Sequence, residues 1–406
     1  MLNYSALVWI FFSTAMLATW FFYRLDRRAS TLAIGIGVTG WVLDSQSGYD
    51  FLAYGLQILS AILAIFFVLP REQKSTQEIP SKVFQALQRM SYLFVAAQLV
   101  STLITNSGPE GVIRALLLAV LIATFNSYCG SGKTQVDLPL SIATIAVLTI
   151  IIDSLFSITQ VSLTEIGGGR SGGIIGHPNY AAYLGAAVCV VWYSKKQDVI
   201  STPAFFLTGL ATVFTLSRTA ILALVLALLL VSLQKKKKVQ ATILSISVIA
   251  AGLIQSSFAD TLLERFGWIA SSGGLLGSNS AGWRALQWTK TIEVIADRQL
   301  NPVGWKQSGQ YLLSGLEPHN YYLQSLLELG VLGLACSIGF TVIFIRSQAR
   351  LKNFGPAAIV ALGSVFDAGL LVPSFLIGAL VMLLGSARSG RDVPKKINAK
   401  RLKIRP

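Results

Sequence analysis

Long apolar runs separated by short polar connections set the pattern of this chain from end to end. A run of roughly 20 apolar residues spans a bilayer as a helix. The runs predict spans at about 4–23, 30–44, 51–70, 90–106, 112–129, 138–158, 179–194, 202–216, 219–233, 241–257, 320–345, 357–371 and 373–386. Barrel strands would instead alternate apolar and polar positions over short segments. The expectation is an all-α polytopic membrane protein of about 12–13 transmembrane helices; spans 30–44 and 357–371 are short enough to lower the count to twelve. The pattern breaks once. From Phe258 to His319 the chain forms one long polar loop, rich in turn residues, and then re-enters an apolar run.

Composition agrees: 53% of residues are hydrophobic and 13% charged, against about 25% charged in soluble domains. The first run, Ala6–Phe22, follows no basic residue and ends at no small-residue cleavage site, so it reads as a retained helix. The net charge of +15 would suit nucleic acid, but its distribution does not. Alternate connections collect most of the basic residues: Arg24, Arg27 and Arg28; Arg71 to Arg89; Lys133; Lys195-Lys196; Lys235 to Lys238; Arg346 to Lys352; and the tail from Arg388. That is the positive-inside pattern. It predicts a cytoplasmic C-terminus, an external loop 258–319, membrane lipids as neighbours and no nucleic-acid partner. Thirteen spans would put the N-terminus outside. Cys129, Cys189 and Cys336 lie in or beside spans and are odd in number, which argues against a disulfide framework or zinc site.

No internal repeat is evident. Gly35, Gly37 and Gly40 in the second span suit close approach of another helix. The chemistry-bearing features gather in the second half. They are the loop Gln160–Pro178, the turn Leu216-Ser217-Arg218-Thr219, the large loop, and the turn near Asp367. By alternation all four fall on the outer side.

Arg218 stands between two apolar runs, where a cation usually has a partner or a task. It either snorkels to headgroups or grips a phosphate with its fork. Arg284 opens a predicted loop helix, Ala281–Ala296, on which Trp283, Trp288, Ile292 and Ile295 recur at helical spacing. That helix could rest on the bilayer with Arg284 merely solvated. His319, after Pro318, precedes a helix N-terminus that Asn320 is suited to cap. It is a candidate general base or a headgroup contact. His177 and Asn179 flank Pro178 before another span, where a cap-and-turn role is favoured. Arg170 lies in a glycine-rich loop that is either a hinge or a cover over a ligand. Glu328 and Asp367 are acids able to pair with Arg218 or Arg284. No Walker loop, HExxH or paired CxxC occurs, and no acidic cluster points to a metal. The expectation is a reaction without metal or cofactor.

These pieces together resemble the O-antigen ligase and polymerase superfamily of bacterial inner membranes. The match rests on Gly176-His177-Pro178-Asn179, Leu216-Ser217-Arg218-Thr219-Ala220, Trp283-Arg284 with Trp288, and Asn301-Pro302 with Gly304. It ends on His319-Asn320-Tyr321-Tyr322-Leu323 through Glu328, Gly330 and Gly333. It covers about Ile174–Gly385. The chain then divides into N-terminal transmembrane helices (1–173), an O-antigen ligase-like membrane domain (174–386) that includes loop 258–319, and a basic cytoplasmic tail (387–406). The resemblance implies a GT-C-like fold and transfer of a glycan from an undecaprenyl-diphosphate carrier. The acceptor would be lipid A–core, another glycan or another hydroxyl. It implies catalytic roles for Arg218, Arg284 and His319. Asn320, Arg170, His177, Asn179, Trp288 and Glu328 are the expected substrate-binding residues. Two features depart from the family: Trp305-Lys306 follows Gly304 where a second glycine is common, and thirteen spans exceed the usual twelve with a cytoplasmic N-terminus. The competing readings are a transporter of a small anion such as bicarbonate, disfavoured by the missing repeat, and a non-catalytic lipid-glycan binding subunit.

Overall fold

A computed structural model of the chain describes residues 12–14, 29–43, 50–68, 79–130, 137–157, 171–195, 200–234, 280–312, 317–366 and 373–389. Most of span 4–23, span 241–257, the first part of the large loop, Arg170, Asp367 and the basic tail lie outside the described residues. Within them the fold is all-α, with no strand. The helices are α1 (Ala29–Leu43), α2 (Asp50–Leu63, continued by a π turn Ala64–Val68), α3 (Ile79–Thr105), α4 (Glu110–Gly130), α5 (Asp137–Ser157) and α6 (Pro178–Ser194). They continue as α7 (Ser201–Phe214), α8 (Arg218–Gln234), α9 (Ser280–Asp297), α10 (Tyr321–Arg350), α11 (Phe354–Phe366) and α12 (Pro373–Ser389).

Two of these, over Leu138–Leu155 and Tyr321–Arg350, are long and apolar enough to cross a membrane, and several shorter ones are strongly apolar. Exposure supports the same reading. On α8, Ala220, Ala223, Leu224, Ala227, Leu228 and Val231 are buried, while Leu222, Leu226, Leu229 and Leu233 on the other face are exposed. A helix apolar all round with one face uncovered suits lipid, since water would penalise that face.

Helix α6 is the hub. Nearly all of it is buried, and it packs against α5, α7, α8, α11 and α12. Small residues permit this. A Cβ on Gly185 would meet Thr212 Oγ1 at 2.5 Å, and one on Gly378 would meet Ala187 at 3.0 Å. The predicted glycine contact in the second span is present as well. A Cβ on Gly37 would meet Ser60 Oγ at 2.6 Å, and Ser60 donates to Ala33 O across the α1–α2 interface. Without much hydrophobic force between helices in lipid, such close approach supplies the packing.

One boundary differs clearly from the sequence expectation. Helix α3 starts at Ile79, well before residue 90, because Phe84, Leu87 and Phe94 bury one stripe while Lys82 and Arg89 stay exposed. Its first turns are amphipathic rather than a free basic connection.

Helix α10 is broken at Gly330, where φ is +70°. Such a break interrupts the i to i−4 ladder and frees carbonyls just before it. The segment Asn301–Gly304 takes them up: Val303 N donates to Leu327 O at 2.8 Å and Gly304 N to Glu328 O at 3.3 Å. Ser101 Oγ from α3 also donates to Glu328 O, at 2.8 Å. Gly304 has φ +106°, and Pro302 sits 3.5 Å from where a Cβ on Gly330 would be. The two glycine motifs thus fit one another, and residues 301–312 form a strap across α10.

Candidate active site

Helix α9 is docked by its two tryptophans onto the turn that precedes α10. Trp288 Nε1 donates to Pro318 O at 2.9 Å, and its ring lies 6.4 Å from that of Phe366. Trp283 meets the His319 imidazole edge to face, with centroids 5.5 Å apart. Arg284 follows Trp283 directly and sits one helical turn before Trp288, on the side of α9 that faces His319. The packed stripe of α9 is Gln287, Thr291 and Ile295, all buried. Ile292, expected with the tryptophans, is 56% exposed.

His319 has φ +50°, a left-handed conformation that histidine adopts more readily than most residues and that recurs at functional sites. The predicted cap follows it. Asn320 Oδ1 accepts from Tyr322 N at 3.1 Å and Leu323 N at 3.0 Å. Its Nδ2 donates to Val365 O at 3.0 Å, tying α10 to the end of α11. Most of the Asn320 side chain is therefore engaged in holding the turn that presents His319.

Arg218 opens α8 after Leu216, which is left-handed at φ +54°. Its position relative to His319 follows from helix packing. A Cβ on Gly355 would touch Val231 and Ala227, so the start of α11 lies beside the far part of α8. The two helices pack extensively, which requires an antiparallel pair. At about 1.5 Å per residue, Phe366 is then level with Arg218. Since Phe366 touches Trp288 and Val365 holds Asn320, the start of α8 lies at the same end of the bundle as Arg284 and His319.

Glu328 is placed differently from the expectation. It is 1% exposed and pairs with neither arginine. Its Oε1 accepts from Ser308 Oγ at 2.6 Å and from Gln324 Nε2 at 3.3 Å. The break at Gly330 turns this carboxylate toward the strap, so it clasps residues 301–312 to α10. Glu328→Ala is expected to destabilise the purified protein by about 1–3 kcal/mol, since it strands buried donors. Glu328→Gln, which can still accept, should lose less than half of that in detergent thermal unfolding.

His177 and Asn179 sit at the start of α6. His177 occupies the cap position but makes no side-chain cap hydrogen bond; its ring stacks on Tyr180 with centroids 4.1 Å apart. Asn179 is buried. Two polar groups that the sequence reading passed over do organise this region. Asp153 Oδ2 accepts from Ser171 Oγ, from Gly172 N at 3.1 Å and from Gly173 N at 3.0 Å, which fixes the loop entering α6. Its signal was an acid inside an apolar run. Glu110 accepts from the Tyr54 hydroxyl at 2.8 Å and pairs with Arg114 and Lys306, each at 3.3 Å. Burial opposes charge on Glu110, but the Tyr54 hydroxyl, Lys306 and Arg114 together hold its carboxyl below the usual value. Among the described residues no group of three His, Cys, Asp or Glu side chains gathers as a metal site.

Residues 203–338 match the family described as O-antigen ligase. The matched segment is narrower than the resemblance drawn from motifs. It runs from α7 into α10 and contains Arg218, Arg284, His319, Asn320 and Glu328, but not Arg170, His177 or Asn179. No curated protein matches the chain. The tryptophan-docked helix and the left-handed histidine turn both fall within this matched segment, so residues 203–338, about a third of the chain, are similar to the O-antigen ligase family.

Proposed function

We propose that this protein transfers a glycan from an undecaprenyl-diphosphate carrier to an acceptor hydroxyl at the outer face of the bacterial inner membrane. The observation that carries this reading is the docking of α9 onto the Pro318-His319 turn through Trp283 and Trp288, the tryptophans on either side of Arg284, within the matched segment. The positive-inside charge pattern supports a cytoplasmic C-terminus and an external loop.

The chemistry follows from the residue types. The acceptor oxygen attacks the anomeric carbon as its proton passes to an imidazole nitrogen of His319. The bond from that carbon to the diphosphate oxygen breaks, and its electron pair leaves with the carrier. Negative charge therefore grows on the diphosphate, where fixed cations count most. Arg218 and Arg284 suit this task because guanidinium keeps its charge and grips phosphate in a bidentate way. Attack opposite the leaving group inverts the anomeric centre. The arginines supply the electrostatic stabilisation, so the reaction proceeds in EDTA. Trp288 and Asn320 serve by holding α9 and the His319 turn; Arg170, His177 and Asn179 would contact the glycan from the neighbouring loop.

The test uses purified full-length protein with an undecaprenyl-diphosphate oligosaccharide in EDTA, alone and with lipid A–core. Longer carrier-linked chains from the donor alone identify a polymerase, and a lipid A–core conjugate identifies a ligase. No product with these or with native surface glycans from the source cell would count against transfer. Anion flux in liposomes without donor would instead favour a transporter, and donor binding without turnover a binding subunit.

A further inference from the structure

The Trp305-Lys306 pair that departs from the family pattern has a structural counterpart. A cleft opens between α1, α3, α4, α12 and the strap, bounded by Trp41, Phe94, Gly111, Arg114, Trp305 and Leu376, with about 350 Å³ of space including its open mouth. Its throat is narrow and admits only a water-sized group. Trp305 is nine-tenths buried, yet its Nε1 has no hydrogen-bond partner. Gln98 is fully buried, and neither its Nε2 nor its Oε1 has one. The two side chains meet at Gly111: a Cβ there would lie 2.6 Å from Gln98 Oε1 and 2.8 Å from Trp305 Cγ.

Trp305 and Gly111 line the cleft and Gln98 lies directly behind Gly111; buried polar groups are costly when unpaired, so this cluster calls for an occupant. An apolar chain would satisfy none of the three atoms. An anion would suit the two donors but oppose the Gln98 carbonyl. A hydroxyl both donates and accepts, and it fits the throat. The rim is polar, carrying Arg114, Glu110 and Lys306. The walls are aromatic, with Phe94 and Trp305 edge to face at 6.4 Å. The strap that carries Trp305 joins α10 at Leu327 and Glu328, about two helical turns along the axis from the Asn320 cap.

We propose that this cleft is a saccharide subsite, whose throat takes one hydroxyl of a neutral sugar while the ring rests at the mouth beside Trp305 and Arg114. It rests on the glycan-transfer reading and would hold a sugar removed from the reacting bond. Purified full-length protein is titrated with chitotetraose, cellotetraose and mannotetraose, with binding read by saturation-transfer NMR. The variants are Trp305→Phe, which keeps a ring but loses the N–H, and Gln98→Leu, which keeps the volume but no polar atom. At least one saccharide should bind, and each variant should weaken it about tenfold, as expected for one lost hydrogen bond. In the transfer assay Trp305→Phe should raise KM for the glycan by a similar factor, with kcat within twofold. Absence of binding by all three saccharides would overturn the proposal. So would variants that shift thermal unfolding but leave binding unchanged, the signature of a structural water. Saccharide binding needs no lipid-linked donor, so this result stands apart from success or failure of transfer.

Discussion

Arg284→Ala should lower kcat/KM for glycan transfer about 10²–10³-fold, the scale on which one preorganised charge-stabilising group acts. Arg284→Lys should recover part of the loss, since it restores charge without the planar fork. Trp283 and Trp288 hold α9 on the Pro318-His319 turn in both variants, so the fold should be kept. Thermal unfolding within a few degrees of wild type, alongside the lost activity, would confirm that separation. Transfer by Arg284→Ala within threefold of wild type would remove Arg284 from the reacting centre.

The second large effect concerns His319. An alanine there would mix two consequences, because the left-handed backbone at φ +50° costs a residue with an ordinary Cβ about 1–2 kcal/mol. Asparagine tolerates that conformation but is not a base. His319→Asn should therefore keep the turn and lower kcat about 10²–10⁴-fold, the usual span for general acid–base catalysis. Binding of undecaprenyl-diphosphate glycan, measured at equilibrium, should stay within threefold. The contrast with Arg284→Ala, which should weaken both binding and turnover, separates a proton-accepting role from an electrostatic one. Retained turnover in His319→Asn would place the base elsewhere.

Much of the architecture was legible because lipid imposes a simple rule. Backbone groups must be satisfied within each segment, so apolar runs become helices, and most predicted spans among the described residues sit on one. What was lost is instructive. The early start of α3 hid in a basic stretch, where Phe84 and Leu87 carry the helical stripe between Lys82 and Arg89. The packed stripe of α9 was not visible from its apolar residues alone. Its buried stripe runs through Gln287 and Thr291, whose hydroxyl donates to the Gln287 backbone carbonyl, while Ile292 is exposed. The break at Gly330 was hidden too, since glycine is frequent in membrane helices. Its meaning appears only when Val303 and Gly304 are seen capping the freed carbonyls.

The candidate site divides in the same way. Arg218, Arg284 and His319 were visible as charged or titratable residues out of place beside apolar runs. The supporting residues were not, because their roles depend on partners distant in sequence. Glu328 looked like a partner for an arginine and instead clasps Ser308. Asp153 looked like part of a span and instead orders the loop that leads into α6. Sequence marks the groups that carry charge, whereas packing decides which of them meet.

The most direct measurement is electron cryomicroscopy of the full-length protein with undecaprenyl diphosphate bound. The account predicts the diphosphate within hydrogen-bond distance of Arg284 and Arg218, with the His319 imidazole on the far side of the position the anomeric carbon would occupy. A diphosphate bound away from α9 and the start of α8, or no binding at that end of the bundle, would contradict it.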